Sequence, residues 1–317
     1  MVASHMPPDP RQDTWAMMHS PLPTYLITVV YILGVTCVGP KMMEGRGPVS
    51  GLRPVMVAYN AFQVLFSAYL VYMIGMGGWF GSYNWTCQGC DFTNSPQAIS
   101  MLYGCYWYYL SKFVDFLDTV FFVLNKKNDH ISLLHVVHHS LMPVSMWYGM
   151  RFQPGGHNTL MSFLNSIVHT VMYLYYLLAA LGPRVRPYLW WKKYLTSMQI
   201  IQFVTVMAHS IQLAFSECDN VPRGLTGGSV VTLASSSSSS QTSTSRATPS
   251  QRRVAKVVVS PALLTDLSSG ISSGVSSANS SKSSSSGQTV TNGVADTACK
   301  TLGMCEQMAL RSRLGAI

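Results

Sequence analysis

Three histidines, His135, His138 and His139, stand inside a stretch that otherwise reads as a membrane span. They fall at i, i+3 and i+4, so a helix presents all three imidazoles on one face. Ionisable side chains are costly in hydrocarbon; where they occur they face the interior of a bundle and mark function. A chain with this box must therefore pack helices around a polar interior. A hydrated structural helix face is the plainer alternative, and it explains three convergent imidazoles less well.

Composition agrees with lipid as the solvent. Of 317 residues, 48% are hydrophobic and only 10% charged, against about a quarter charged in soluble proteins. Six apolar stretches run over residues 24–38, 54–76, 98–124, 131–148, 159–181 and 194–216. The second, third, fifth and sixth reach the roughly 20 residues that cross a bilayer; the first and fourth are shorter or more polar. Pro143 lies inside the fourth, where neighbouring helices can absorb a kink. The predicted fold is an all-α integral membrane bundle with six spans. Residues 1–23 are polar and proline-rich, with no secretory signal. The division is a polar segment 1–23, a membrane domain 24–222 and a Ser-rich, low-complexity tail 223–317, too poor in apolar residues to fold. There is no internal repeat of the kind that marks transporters.

Lys and Arg set the orientation. Lys41, Arg46 and Arg53 follow the first stretch, Lys126 and Lys127 the third, and Arg184, Arg186, Lys192 and Lys193 the fifth. The intervening loop 75–97 has neither residue, and the next loop on that side has Arg151 alone. The basic loops are expected in the cytosol and the N-terminus in the lumen, with Trp190 and Trp191 as an interfacial anchor. Because the basic residues sit at span ends rather than in one patch, the net charge of +9 does not indicate nucleic acid. Asn84-Trp85-Thr86, a glycosylation acceptor, and Cys87, Cys90 and Cys218 map to the oxidising luminal side. Six spans return the tail to the lumen, where Asn279 could be glycosylated.

Other spans carry polar residues at helical spacing. Lys112, Asp115, Asp118 and Thr119 form one stripe in the third, and a Lys–Asp pair there could also be packing glue. Asn165, His169, Met172, Tyr173 and Tyr176 share a face in the fifth. Gln199 and Gln202 lie one turn apart in the sixth, with His209 further on, a lone histidine of the sort usually hydrogen-bonded within a helix. Up-and-down topology puts all these faces at similar depth, towards the cytosolic leaflet. One buried site accounts for them.

Two chemistries fit a histidine cluster in a membrane. One is a metal centre; His135, His138, His139, His169 and His209 are too few for di-iron, although a single zinc at His135, His138, His139 and His169 stays open. The other is metal-free acyl transfer, with imidazole as nucleophile or general base.

The ordered motifs Lys112-Phe-Val-Asp115-Phe-Leu-Asp118-Thr119, His135-Val-Val-His138-His139, Asn165-Ser-Ile-Val-His169-Thr-Val-Met172-Tyr173-Leu-Tyr175-Tyr176 and Thr196-Ser-Met-Gln199-Ile-Ile-Gln202 resemble those of the ELO family, the elongases of very-long-chain fatty acids. The resemblance covers about residues 20–222, and Leu189-Trp190-Trp191-Lys192-Lys193-Tyr194-Leu195-Thr196 is similar to the animal branch. It implies an endoplasmic-reticulum enzyme that condenses long-chain acyl-CoA with malonyl-CoA to a 3-oxoacyl-CoA, CO2 and CoA, without metal or other cofactor. His135, His138, His139, His169 and Asn165 are then catalytic, with Lys112, Asp115, Asp118, Thr119, Tyr173, Tyr176, Gln199 and Gln202 in support. Lys126, Lys127, Arg184, Arg186, Lys192 and Lys193 are expected to hold CoA phosphates. The resemblance also implies a Cys87–Cys218 disulfide, with Cys90 spare, and partners among the reductases and dehydratase of the elongation cycle or other elongases. The resemblance ends near Arg223, so the family's seventh helix is expected to be missing or replaced here. A non-catalytic partner of active elongases is therefore an alternative, as is a histidine-ligated metalloenzyme of lipid metabolism.

Overall fold

A computed structural model describes residues 7–127 and 130–215, which belong to one compact unit. Among the described residues every regular element is helical. Seven helical segments make six rods: α1 (Leu22–Met42), α2 (Leu52–Trp79), α3 (Pro96–Val114) continued past Asp115 by α4 (Phe116–Leu124), α5 (Leu133–Phe152), α6 (Thr159–Ala180) and α7 (Lys192–Phe215). Each rod corresponds to one apolar stretch of the sequence. Leu26, Val30, Leu65 and Ile201 lie on outward faces and stay exposed, as a surface facing lipid tails requires. The chain is a multi-pass membrane protein.

Two expectations about span length need correcting. The first stretch is not short, because a π-helical turn at Gly34–Val38 carries α1 on to Met42, for 21 residues. Together with α2 and α6 it is long and apolar enough to cross a membrane. The third stretch, expected as a single long span, is instead broken at Asp115, where the helix ends and restarts. Local chemistry sets the other starts. Ser95 caps α3 by accepting from the Ala98 amide at 3.1 Å, with Pro96 in the first turn. Ser132 caps α5 in the same way, accepting from the His135 amide at 3.1 Å, and so fixes the entry of the histidine box. Helix α5 runs through Pro143 without interruption.

Two glycines let α2 and α3 approach closely. A Cβ on Gly77 would fall 2.9 Å from Met101 Cα, and one on Gly104 would fall 2.9 Å from an Ile74 side-chain carbon. At the basic end, Arg53 donates to the last carbonyls of α6, from Nε to Ala180 at 2.8 Å and from Nη2 to Leu181. At the opposite end the N-terminal segment, which the sequence marks only as polar, is docked from Pro7 onward. Buried Asp9 pairs with Arg11 at 2.6 Å, Arg11 donates to the Asp91 and Thr93 carbonyls, and Arg151 pairs with Asp13 at 2.6 Å. Both arginines of that end are thus neutralised locally, while the exposed Lys126, Lys127, Arg184, Lys192 and Lys193 gather at the other. The tail from 216, with Cys218 and Asn279, lies outside the described residues.

Candidate active site

The break at Asp115 is the centre of the site. With its ladder interrupted there, α3 and α4 turn a carboxylate into the middle of the bundle, where Asp115 is 3% exposed. Lys112 Nζ donates to Asp115 Oδ2 at 2.9 Å and to Asn165 Oδ1 at 3.2 Å, and lies 4.4 Å from the centre of the Tyr108 ring. Tyr108 also donates to Asn165 Oδ1, at 2.9 Å. Gln63 of α2 donates from Nε2 to Asp115 Oδ1 at 2.9 Å and to the Tyr59 hydroxyl at 3.1 Å. Tyr173 donates to Asp118 Oδ2 at 2.6 Å and lies 3.2 Å from Asp115 Oδ1. Buried charges are tolerated when paired and hydrogen-bonded, and the Lys112–Asp115 pair meets both conditions.

The histidines border this network. His169 Nδ1 is 3.9 Å from Asp115 Oδ2, within reach of an ion pair but beyond a hydrogen bond. In the box, the His135 and His139 rings stand 4.3 Å apart and those of His138 and His139 5.6 Å apart. His135 Nε2 is 2.9 Å from Thr119 Oγ1, which is 2.9 Å from the Tyr31 hydroxyl on α1. Four imidazoles, a carboxylate pair, a lysine and an amide thus share one buried region. Such a site can supply a nucleophile, a proton relay and fixed donors for developing negative charge.

Most residues expected from sequence meet here: His135, His138, His139, His169, Asn165, Lys112, Asp115, Asp118, Thr119 and Tyr173. Others are placed differently. Tyr176 is 37% exposed and meets Tyr173 edge-on with ring centres 6.2 Å apart. Gln199 is exposed and its amide lies 3.7 Å from Met172 Sδ; half-buried Gln202 makes no hydrogen bond to the network among the described residues. Lys126, Lys127, Arg184, Lys192 and Lys193 are exposed at the basic end, and Arg186 opens the short turn Arg186–Leu189 between α6 and α7. Cys87 is disulfide-bonded and Cys90 is free, its thiol 3.3 Å from the Gly155 carbonyl; Cys218, the expected partner, lies outside the described residues. No three His, Cys, Asp or Glu side chains among the described residues are grouped so as to hold a metal ion.

Gln63, Tyr59, Tyr108 and Tyr31 belong to the network without having been anticipated. A signal for α2 existed: Tyr59, Asn60, Gln63 and Ser67 recur at helical spacing and are all buried. Tyr31 gave none, since an aromatic residue on an apolar span reads as lipid-facing. A second histidine pair lies at the opposite end, where His157 and His209 stack at 3.6 Å and His157 Nε2 donates to the His209 carbonyl at 2.8 Å.

Residues 16–244 match the family described as ELO: GNS1/SUR4 family. The chain is 53% identical over 216 residues to "Very long chain fatty acid elongase 7" of Drosophila melanogaster, covering 68% of this chain and 65% of that one. It is 48% identical over 209 residues to "Very long chain fatty acid elongase 7" of Rattus norvegicus, covering 66% and 74%. With "Very long chain fatty acid elongase 1" of Homo sapiens the identity is 43% over 212 residues, 67% and 76% of the two chains. The match thus spans less than two thirds of the Drosophila relative's length.

Proposed function

The chain belongs to the ELO family, and from that membership and the site we propose that it condenses a long-chain acyl-CoA with malonyl-CoA, giving a 3-oxoacyl-CoA two carbons longer, CO2 and free CoA. The observation that carries this reading is the histidine box set beside a satisfied Lys112–Asp115–Asn165 network in the bundle interior. Acyl transfer needs a nucleophile shielded from water, and decarboxylation needs donors where an enolate develops.

Two half-reactions follow. An imidazole nitrogen of His138 attacks the thioester carbonyl; the C–S bond breaks, CoA leaves as the thiol after taking a proton, and an acyl-imidazole remains. The malonyl group then loses CO2, and the electron pair of the broken C–C bond becomes the enolate of the thioester. Its α-carbon attacks the acyl carbonyl, the C–N bond breaks, and the departing imidazole nitrogen takes a proton from solvent, so His138 returns neutral. His135 and His139 orient the nucleophile, while His169 and Asn165 position the malonyl group and stabilise the enolate. The balance requires no metal and no redox cofactor. Product release calls for a reductase and a dehydratase acting on 3-oxoacyl and 3-hydroxyacyl thioesters.

Under this reading the basic end faces the cytosol of an endoplasmic-reticulum membrane, and Lys126, Lys127, Arg184, Arg186, Lys192 and Lys193 hold the CoA phosphates. Membranes from cells expressing the chain, given labelled malonyl-CoA and a series of acyl-CoAs, are expected to form labelled acyl chains two carbons longer than each accepted primer. Label incorporation no greater than in control membranes would overturn the reading.

A further inference from the structure

The structure assigns Tyr31, on a span with no histidine, carboxylate or lysine in the site, as a positioning residue of the histidine box. Tyr31 is 5% exposed and its ring lies flat on Phe116, 4.0 Å between centres with the planes 10° apart. Its hydroxyl is 2.9 Å from Thr119 Oγ1, and Thr119, 0% exposed, is 2.9 Å from His135 Nε2. Three elements, α1, α4 and α5, are joined by this one chain of polar atoms.

Counting protons gives the chain a direction. The phenol of Tyr31 has one proton, and Thr119 Oγ1 is its hydrogen-bond partner among the described residues. A buried O–H without an acceptor is unfavourable, so Tyr31 donates to Thr119. The Thr119 hydroxyl then donates its own proton to His135 Nε2. His135 is thereby held neutral with its hydrogen on Nδ1. In the reverse direction His135 Nε2–H would donate to Thr119 and Thr119 to Tyr31, stranding the phenolic proton.

The consequence reaches the chemistry proposed above, on which this inference rests. The His135 ring lies 4.3 Å from that of His139, tilted by 49°, and His135 precedes His138 by one turn of α5. An Nδ1–H fixed at that position is a donor for the oxyanion that forms when His138 adds to the thioester. Tyr31 touches no substrate; it acts through Thr119.

The test separates positioning from folding and from the reading of function. Tyr31→Phe keeps the ring stack and removes the hydroxyl. It is expected to lower kcat about tenfold, the weight of one hydrogen bond to the reacting group, with KM for acyl-CoA within about twofold of wild type. Thr119→Val should lose at least as much, and Thr119→Ser should restore the wild-type rate. Tyr25→Phe is the control, because the Tyr25 hydroxyl pairs at 2.9 Å with Tyr148 on the exposed surface; its rate should not change. Nitrogen-15 spectra of the histidine-labelled full chain in micelles should show the His135 proton on Nδ1 in wild type, and a mixture of tautomers in Thr119→Val. A wild-type kcat and an unchanged tautomer in Tyr31→Phe and Thr119→Val would overturn the proposal. If Tyr31→Phe does not fold, the Thr119→Val and Thr119→Ser pair decides by the same readouts. A wild-type chain without condensing activity would sink the functional reading, and the tautomer would still judge the relay.

Discussion

Among the described residues the molecule holds two histidine clusters, and they are built from different chemistry. In the bundle interior the imidazoles of His135, His138, His139 and His169 sit among hydroxyls, two carboxylates, two amides and a lysine, contributed by α1, α2, α3, α4 and α6. At the opposite end His157 and His209 face each other at 3.6 Å with their planes 5° apart, and His157 Nε2 donates to the His209 carbonyl at 2.8 Å. There His157 Nδ1 and His209 Nε2 are buried without a partner among the described residues, and the His209 ring meets Trp79 at 5.8 Å. The first cluster can move protons because its neighbours donate and accept them. The second is a packing contact made of imidazole. Burial alone does not separate catalytic from structural histidines; the groups around them do.

That contrast can be broken by substitution. The largest effect is expected at His138→Ala, which should reduce condensation by about a thousandfold or more while the protein still inserts and elutes as wild type. Turnover near wild type would end the distinction drawn here. Next, Lys112→Met leaves the Asp115 carboxylate buried and uncompensated, which costs about 3–5 kcal/mol, read as a fall in thermal midpoint along with activity.

The structural cluster should answer differently. His209→Ala is predicted to cost about 1–3 kcal/mol through the lost ring contact, with kcat per folded molecule unchanged. The same end should sense acid. Burial pushes the imidazole of His157 below its ordinary 6.5, the His209 carbonyl pulling weakly the other way. The unfolded chain then takes up the proton first, so His157 contributes no penalty above that value and destabilises the fold as pH drops below about 6.5. His157→Phe keeps a ring in the stack and should flatten the pH dependence of the thermal midpoint between about 5 and 7; an unchanged slope would remove His157 from the account. The smallest effect is at the basic end. Replacing Lys192 and Lys193 together by Ala should raise KM for acyl-CoA by about three- to tenfold with little change in kcat. An unchanged KM would take both lysines out of the CoA site.

How much of this was legible in the chain depends on the distance over which each contact acts. The six rods follow from apolar runs, and the Lys112–Asp115 pair from a spacing of three, because both are local properties of a helix. The convergence of His135, His169 and Lys112 follows once the runs alternate in direction. What spacing does not reveal is the rotation of a helix about its own axis. Gln199 and Gln202 lie one turn apart, yet Gln199 is exposed and its amide meets Met172 Sδ. Nor does it reveal partners far apart in sequence: Tyr31 meets Thr119 across 88 positions and Gln63 meets Asp115 across 52. The histidine pair is similar, for His209 reads as a lone helix residue until the fold brings His157 onto it.

The proposed condensation has His138, within the interior cluster, covalently acylated. The direct measurement is mass spectrometry of peptides from the full chain after incubation with acyl-CoA and no malonyl-CoA, quenched before hydrolysis. The account predicts one acyl group on the peptide carrying His138, absent from His138→Ala and discharged when malonyl-CoA is added. Steady turnover with no acyl group on that peptide, or with one on His157 or His209, would contradict it.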